Sequence, residues 1–437
     1  MSTPVWTLSD GTTEKTLAAW GIKDRLQVTF KSGWADELSF DLRPASVLAD
    51  PPFAQDDELY LMKDSVTWFR GFVRLVMVSG QGKSEVWTVT VRNAWEKLER
   101  LTFLQPRMIY QAPTWLTTSL QDTSDVILCN TVDPITGKYQ KCDSGVQIDA
   151  IIAFALGVGV PLSYQRYFVA PNPPSENARD LTCAAAIRRM LNFSPDVVSW
   201  VDYTNTPYPK LHMDHRLNLS VLSLDLSAGN LGIEEVSLSD RADVVPAGVV
   251  LRLLYNGTGP DGKPYTQIKV QTAGATSGPG VIVNTVDWPT KDDGTFEDEP
   301  TGRTGGTDNF AQYYYTILSR KFFAGTIRFH QLDCPGTIRP GMVLNFTGTT
   351  RTGWDTALAV VQQVTEDPFY GRTTVTMGPP PQLDIRNVVA LGAMAMKTAK
   401  KDAKVPAAKP PTTDGTDSRP MPGTMLTLCD GTSVAVH

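Results

Sequence analysis

The sequence has no apolar segment long enough to cross a bilayer, which takes roughly 18–20 residues. Its first residues, Met-Ser-Thr-Pro-Val-Trp, lack the basic segment and the following apolar core of a secretory signal. We therefore expect a soluble protein that is made in a cytosol and has no membrane span.

Cysteine is scarce, and the five residues are odd in number and scattered. A disulfide framework uses an even set, and a reducing cytosol opposes it. Cys129 and Cys142 are the first and last residues of the segment CNTVDPITGKYQKC. Two free thiols on a hairpin are favoured there over a disulfide. The cysteines are Cys129, Cys142, Cys183, Cys334 and Cys429.

Histidine is also scarce, with four residues in the chain. His212 and His215 form the one close pair in the sequence. On a strand, His212 and Asp214 share one face while His215 points to the other, which is a poor arrangement for metal ligands. No His-Glu-x-x-His sequence occurs. We expect no metal site and no cofactor.

Motifs of catalysis are missing as well. The sequence has no Gly-x-Ser-x-Gly, no Walker A motif and no Gly-x-Gly-x-x-Gly after a strand. Cys183 lies within an apolar helical stripe, where a buried, unreactive thiol is expected. Adjacent carboxylates do not face each other across a cleft, so we interpret three such pairs as solvated surface: Asp36-Glu37, Glu234-Glu235 and Asp292-Asp293. We predict no enzyme activity and no catalytic, cofactor-binding or metal-binding residues.

The composition is that of an ordinary globular protein, with 41% hydrophobic and 20% charged residues among 437. Because hydrophobic cores stop growing at roughly 250–300 residues, more than one domain is expected. The formal net charge of −6 argues against tight binding of nucleic-acid phosphates as the main role.

Period-2 patterns dominate the first hundred or so residues. Strands are predicted at Glu58–Met62, Val66–Val78 and Glu85–Val91, with turns at Lys63-Asp64-Ser65 and Ser79–Gly82. Both faces of the middle strand carry large side chains, so both are expected to be covered. One face holds Phe69, Gly71, Val73, Leu75 and Met77, and the other holds Trp68, Arg70, Phe72 and Arg74.

Helical patterns follow at three places. A short helix is predicted at Ala94–Leu101 and a second at Gln147–Leu156, which Gly157 and Pro161 end. A third is predicted to begin at the N-cap Ser175 and to end before Pro195. Its apolar face carries Cys183, Ala184, Ile187, Met190 and Leu191. The last two helices are expected to form an insertion between β regions.

Strand patterns then resume in a second β region. The predicted strands are Val197–Tyr203, Lys210–Arg216, Ala247–Tyr255, Thr266–Thr272, Ala311–Thr316, Gly325–His330, Met342–Thr347, Ala357–Thr365 and Thr373–Met377. Loops are predicted at Gly274–Gly280 and Lys291–Asp308 because both are polar and rich in glycine. A helix is predicted at Leu383–Lys401 and a flexible linker at Asp402–Gly423. The strand-like tail contains LTLCDGT, which matches Trp6–Thr12 (WTLSDGT) at five of seven residues.

Three stretches carry the patterns of a known family in the expected order. In Asp56–Phe103, a strand ends in Phe-x-Gly-x-Val, at Phe69, Gly71 and Val73, before a polar hairpin, a strand and a short helix. Cys183–Met213 combines a helix, a Trp-x-Asp-Tyr strand and a proline turn. Ser237–Tyr255 is the third stretch. The Trp-x-Asp-Tyr residues are Trp200, Asp202 and Tyr203.

This arrangement resembles the baseplate or tail hub proteins of long-tailed phages, the late control gene D family, and more distantly the base of type VI secretion spikes. The resemblance implies a mainly β (α+β) fold, with two tail-tube-like β-barrel domains and an inserted helix-containing domain. The expected bounds are 1–106 for the first barrel, 107–216 for the insertion, 217–382 for the second barrel and 383–437 for the C-terminal helix, linker and terminal strand.

The resemblance also implies a structural role at the tail tip of a virion that is assembled in the host bacterial cytoplasm. A homotrimer would form a ring that joins the tail tube to the distal tip and lines the DNA conduit, without sequence-specific DNA binding. Expected partners are the tail tube and distal tail proteins, the tape-measure protein and a central fibre or spike. Two alternatives stay open: a host-surface carbohydrate-binding adhesin, which exposed tryptophans would favour, and a peptidoglycan hydrolase, which the missing motifs oppose.

Overall fold

The structure is a computed structural model of the chain. Strands dominate it, helices are few and several sheets are present, which confirms the mainly β class. The described residues are 4–43, 50–80, 85–105, 108–111, 114–117, 124–132, 139–173, 175–227, 232–240, 245–258, 263–288, 309–319, 323–330, 337–349, 358–383, 425–427 and 433–435.

The N-terminal region consists of antiparallel strands joined by short connections. Its elements are β1 (Trp6–Ser9), β2 (Glu14–Thr16), α1 (Leu17–Trp20), β3 (Ile22–Lys31), β4 (Glu37–Leu42), β5 (Glu58–Lys63), β6 (Val66–Ser79), β7 (Val86–Arg92) and α2 (Trp95–Arg100). The turn between β5 and β6 is Asp64-Ser65, whose positive φ angles of 51° and 65° are typical of a two-residue hairpin turn. The predicted turn and the first predicted helix are confirmed.

The long strand β6 contains a bulge that overturns part of the predicted facing. Val73 and Leu75 pair with adjacent residues of β7, so Arg74 is an extra residue that reverses the alternation beyond it. Leu75 and Met77 therefore do not share the face of Phe69, and they are 53% and 52% exposed. The prediction that both faces are covered holds up to the bulge and is wrong beyond it.

The middle region contains two helices among short strands. Its elements are β8 (Met108–Gln111), β9 (Thr114–Thr117), β10 (Asp125–Leu128), β11 (Asn130–Val132), β12 (Tyr139–Lys141), α3 (Ser144–Gly157), β13 (Ser163–Arg166), β14 (Glu176–Arg179), α4 (Cys183–Leu191), β15 (Val197–Asp202) and β16 (Lys210–His215). The N-cap Asp143 starts α3 by accepting a hydrogen bond from the Val146 N–H at 2.7 Å. This confirms the second predicted helix, whose apolar face shares a buried core with α4.

The third predicted helix begins later than its predicted N-cap. Ser175 precedes β14, which pairs antiparallel with β10, so the chain is extended there. The cap is Thr182 instead, whose hydroxyl accepts a hydrogen bond from the Ala185 N–H at 3.2 Å. A strand partner distant in sequence thus overrides the local cap signal. The predicted apolar face is confirmed, with Cys183 and Met190 fully buried.

The C-terminal β region supplies most of the remaining strands. Its elements are β17 (Ser220–Asp225), β18 (Ile233–Asp240), β19 (Gly248–Thr258), β20 (Pro264–Gly274), β21 (Val281–Trp288), α5 (Phe310–Leu318), β22 (Phe323–His330), β23 (Met342–Thr347), β24 (Leu358–Asp367), β25 (Arg372–Met377) and the short 3-10 helix Pro381–Leu383. The loop between β20 and β21 is present as predicted. Every strand predicted from Val197 onward is confirmed except one.

The exception is Ala311–Thr316, which lies in helix α5. Asn309 caps this helix by accepting a hydrogen bond from the Gln312 N–H at 2.8 Å. Phe310, Tyr314 and Ile317 are buried on one side of it. The preference of tyrosine and threonine for strands depends on context, and packing of the helix face overrides it here.

Strand β3 pairs antiparallel with β24, and this pairing joins the two β regions into one sheet. The strand order is β18-β22-β25-β24-β3-β4-β7-β6-β5-β1-β2, with β23 on β24 and β17 on β23. One hydrophobic core crosses the seam and contains Phe30, Phe69, Phe329 and Phe346. The division into two barrel domains stays a prediction.

The chain divides into two compact units, Met1–Thr398 and Ala399–His437. In the second unit, β26 (Met425–Thr427) pairs antiparallel with β27 (Ser433–Ala435), which confirms that the tail forms strands. The helix predicted beyond Leu383, the predicted linker and the loop Lys291–Asp308 lie outside the described residues. Within the described part of the chain, no helix is both long and apolar enough to cross a membrane.

Candidate functional site

The two strand histidines have separate structural partners. His212 lies between Trp200 and Tyr167, with ring centroids 5.2 and 5.9 Å away and the planes nearly parallel. His215 Nδ1 lies 2.9 Å from Asp196 Oδ1. The two imidazoles thus contact different groups, as the alternation of β16 predicts. Among the described residues, no group of three or more potential ligands could hold a metal ion.

Three cysteines lie in the described part of the chain, and all are free thiols. Cys129 and Cys142 close the base of the β11–β12 hairpin, where the Cys142 N–H donates to the Cys129 carbonyl at 3.0 Å. This confirms the predicted hairpin thiols. Burial raises the pKa of Cys142 and of Cys183 to about 12, so neither forms a nucleophilic thiolate at neutral pH.

Two of the three motif stretches meet at a buried junction in the main sheet. Tyr203, from Trp-x-Asp-Tyr, lies against Phe69, from Phe-x-Gly-x-Val, with ring centroids 5.5 Å apart, and Phe30 lies 6.0 Å away. Gly71 is required beside them because a Cβ there would lie 2.5 Å from the Arg92 carbonyl oxygen. Patterns far apart in the sequence therefore contribute to one core.

A buried carboxyl lies at the centre of this junction. Asp36, in the connection between β3 and β4, is 2% exposed. Its Oδ2 accepts hydrogen bonds from the Tyr203 hydroxyl at 2.5 Å and the Asn93 amide at 3.1 Å, and its Oδ1 accepts from the Lys31 N–H at 2.6 Å. The interpretation of Asp36 as solvated surface is therefore wrong, because distant segments converge on it. Asp36, Asn93 and Tyr203 are called the junction triad below.

Burial dominates the electrostatics of the junction triad. It raises the pKa of Asp36 to about 7, although the hydrogen bond from Tyr203 and the charges of Arg339 and Lys31 act in the opposite direction. Burial also raises the pKa of Tyr203 well above its usual value, and the nearby Asp36 carboxylate adds to the effect. The phenol therefore remains a hydrogen-bond donor at neutral pH.

A second polar cluster connects the N-terminal strands to the C-terminal β region. Arg339 Nη1 donates to Glu366 Oε1 at 2.8 Å, and the guanidinium lies 3.9 and 4.0 Å from the ring centroids of Phe30 and Trp68. Trp68 Nε1 donates to the other oxygen of Glu366. Because Glu366 is buried, this ion pair and its rings hold β6 near β24.

The middle region is attached to the connection that follows β3. Ser199 Oγ accepts a hydrogen bond from the Gly33 N–H at 2.9 Å. Arg188 donates to the Gly33 carbonyl at 3.2 Å, and its guanidinium lies 3.7 Å from the Trp34 ring centroid. Arg188 also pairs with Glu99 at 2.5 Å. Together with the junction triad, these contacts hold α4 and β15 against the N-terminal sheet.

Three terminal strands of the main sheet, β2, β17 and β18, present backbone groups that no described strand uses. Among the described strands, β2 pairs with β1 alone and β18 with β22 alone, and they lie at opposite ends of the strand order. All three residues of β2 are exposed and include Lys15, whereas β18 has no proline or lysine but carries Glu234, Glu235 and Asp240. Such edges are templates for strand addition by another chain.

An open cleft of about 500 Å³ lies beside β2. Trp6, Leu17, Ile22 and Phe369 supply apolar walls, and Lys23 is the charged group at its surface. Of the three residues of β2, Thr16 lines this cleft. The candidate functional surfaces of the chain are therefore sheet edges suited to assembly.

Comparison with known proteins gives a match at the level of structure. No protein-family model and no curated protein sequence matches the chain. The 43 kDa tail protein of prophage MuSo2 from Shewanella oneidensis matches with a TM-score of 0.51 and 10% identity, over 87% of this chain and 99% of its own. The chain has the fold of a phage tail protein.

Two further tail proteins give matches of similar extent. The tail protein from Neisseria meningitidis MC58 has a TM-score of 0.49 and 12% identity, over 89% of this chain and 99% of its own. The prophage tail protein gp18 from Listeria monocytogenes EGD-e has a TM-score of 0.47 and 8% identity, over 90% and 99%.

The tail-protein fold confirms the family resemblance at the level of architecture. Because the match covers 99% of the Shewanella protein, the similarity extends over that whole fold rather than over a single sheet. Fold similarity at this identity carries no information about an activity.

Proposed function

We propose that the chain is a non-enzymatic structural hub at the tip of a phage tail. Three copies form a ring that joins the tail tube to the distal tip and surrounds the path of the DNA. The fold shared with a prophage tail protein supports the tail assignment. The sheet edges that no described strand uses, β2 and β18 among them, support assembly with further chains.

The proposed ring contact rests on the edge strands β2 and β18. β2 and β18 are different surfaces at opposite ends of one strand order. Contact between β2 of one copy and β18 of the next is heterologous, and such a contact produces a ring when the rotation closes. Backbone hydrogen bonds supply affinity at each contact, while the apolar cleft beside β2 supplies side-chain packing.

Charge supports a conduit that lets DNA pass. A surface that carries excess positive charge binds phosphates and slows their movement, whereas this chain has a formal net charge of −6. In the proposed role the ring contacts the tail tube and distal tail proteins, the tape-measure protein and a central fibre or spike. The virion tail tip is its location after assembly in the host cytoplasm.

A substitution in β2 tests the edge contact. The Asp10 N–H donates to the Thr13 carbonyl, so the alternation of the antiparallel ladder turns the Glu14 N–H away from β1. Glu14→Pro removes this outward donor and leaves the hydrogen bonds between β1 and β2. Glu14→Ala is the matched control, since both variants lose the carboxylate that accepts from Thr7 at 2.6 Å.

With the tail-tube partner present, we expect light scattering to give the mass of three copies plus the bound partner chains for the unmodified chain and for Glu14→Ala. Glu14→Pro should remain monomeric at the same concentration while its circular dichroism is unchanged. Equal assembly of all three proteins would exclude β2 from the interface and contradict the proposed ring contact.

A further inference from the structure

Three chain segments that are far apart in sequence converge on one buried carboxyl. Asp36 lies between β3 and β4, Asn93 between β7 and α2, and Tyr203 directly after β15. We propose that the junction triad is a proton-dependent latch, which holds the middle region to the N-terminal sheet more firmly in mildly acidic than in mildly alkaline solution. This inference does not depend on ring formation.

Asp36 accepts several hydrogen bonds within the junction, but none of the donors is a cationic side chain. The Asn93 amide donates both to Asp36 and, at 2.9 Å, to the Tyr203 oxygen, and its own oxygen accepts from the backbone N–H of Trp95 at 3.2 Å. The amide orientation is therefore fixed. Backbone, amide and phenol donors partly compensate a buried negative charge, but full compensation requires a paired cation.

The charged groups around the triad do not supply that pairing. Arg339, which precedes β23, forms its ion pair with Glu366 of β24 at 2.8 Å. Lys31 contacts Asp36 through its backbone N–H. The flanking residues Glu37 of β4 and Arg92 of β7 pair with each other at 3.1 Å.

Protonation of Asp36 removes the uncompensated charge. With a neutral carboxyl, one of the two O–H protons still lies between Asp36 Oδ2 and the Tyr203 oxygen, so this 2.5 Å hydrogen bond persists, while the other O–H donates nothing to the pair. The three segments therefore stay connected in both protonation states. What changes is the free energy of keeping the carboxyl away from water.

The sign of the pH effect follows from the raised pKa of Asp36, about 7 when folded against an ordinary value of 3.8. The latched state takes up a proton that the open, solvated state does not hold at neutral pH. The stabilisation is therefore fully present below the ordinary pKa and is lost as the pH rises through about 7.

Hydrogen exchange of the peptide Val197–Tyr203 tests the latch in the full-length protein. Unmodified protein and Asp36→Asn are compared at each pH, so that the chemical exchange rate cancels. The measured quantity is the protection factor of this peptide in the unmodified protein divided by that in Asp36→Asn. We expect this ratio to fall on the order of tenfold between about pH 5.5 and pH 8, because a residue with a pKa near 7 ionises in this interval. A ratio that is constant with pH would overturn the proposal.

Two further measurements separate the latch from a general loss of structure. Asp41→Asn is the matched control, since Asp41 of β4 accepts a hydrogen bond from Thr88 at 2.8 Å outside the triad, and its exchange ratio should not vary with pH. Infrared difference spectra should show a protonated carboxyl band that titrates near pH 7 and is absent in Asp36→Asn. Absence of this band from the unmodified protein would also overturn the proposal, even if the variant were unstable.

Discussion

At the scale of residues, some side chains of the junction in the main sheet belong to recognisable sequence patterns and others belong to none. Phe69, Gly71 and Tyr203 stand in recognisable patterns, and the structure brings them into one core. Arg339 and Glu366 stand in none. A polar residue becomes buried through partners from distant strands, and no local period in the sequence records those partners.

For Asp36, the local sequence predicts the wrong environment. Next to Glu37 it has the appearance of surface, yet it is buried because Asn93 and Tyr203 reach it from two other segments. The chemistry of the junction could therefore be read only from the folded chain. Strand alternation did predict the shared face of Phe69, Gly71 and Val73, and the family resemblance singled out Tyr203.

Gly71→Ala should destabilise the protein by about 1–3 kcal/mol, since the added methyl group would meet the Arg92 carbonyl at 2.5 Å in a strand that cannot move aside. Gly157→Ala, in the last position of α3, has open space around the added group and should be neutral or slightly stabilising. Urea midpoints followed by tryptophan fluorescence compare the two variants. Equal midpoints would show that the Arg92 carbonyl can move away from a side chain at position 71, which would contradict the prediction.

At the scale of elements, the existence of most strands and helices followed from periodicity, whereas their irregularities did not. The bulge at Arg74 reverses the facing of Leu75 and Met77. The late start of α4 and the helical state of α5 have one physical reason: pairing or packing with distant segments outweighs a local preference worth less than about 1 kcal/mol.

The bulge is held by a buried ion pair, which allows a direct test. Arg74 Nε lies 2.8 Å from Glu96 Oε2, with both side chains less than a tenth exposed, and Arg74 also pairs with Asp56. Arg74→Ala leaves Glu96 buried, and its remaining ion-pair partner among the described residues is the exposed Arg100, 2.9 Å away. We expect a loss of about 2–4 kcal/mol in the free energy of unfolding.

The matched control is Arg100→Ala, which removes the exposed partner of the same carboxylate. Because Arg100 is exposed and Glu96 keeps its buried partner Arg74, the loss should be about 0–1 kcal/mol and this variant should stay close to the unmodified protein in thermal unfolding. If the two variants unfolded at the same temperature, the bulge would not depend on the buried pair.

At the scale of the whole molecule, the pairing of β3 with β24 joins the two β regions into one sheet. Its terminal strands β2, β17 and β18 each pair with a single described strand. The resemblance seen in the sequence predicted the mainly β class and the tail-protein architecture. It did not predict this pairing, because a contact between residues more than three hundred positions apart leaves no local pattern. The open ends are what make the single chain suited to assembly.

Electron microscopy of the purified protein bound to its tail-tube partner tests the central claim most directly. The proposed hub predicts class averages with threefold symmetry and a central hole wide enough for a DNA duplex. A particle that remains a compact monomer, both alone and with the tail tube, would contradict it.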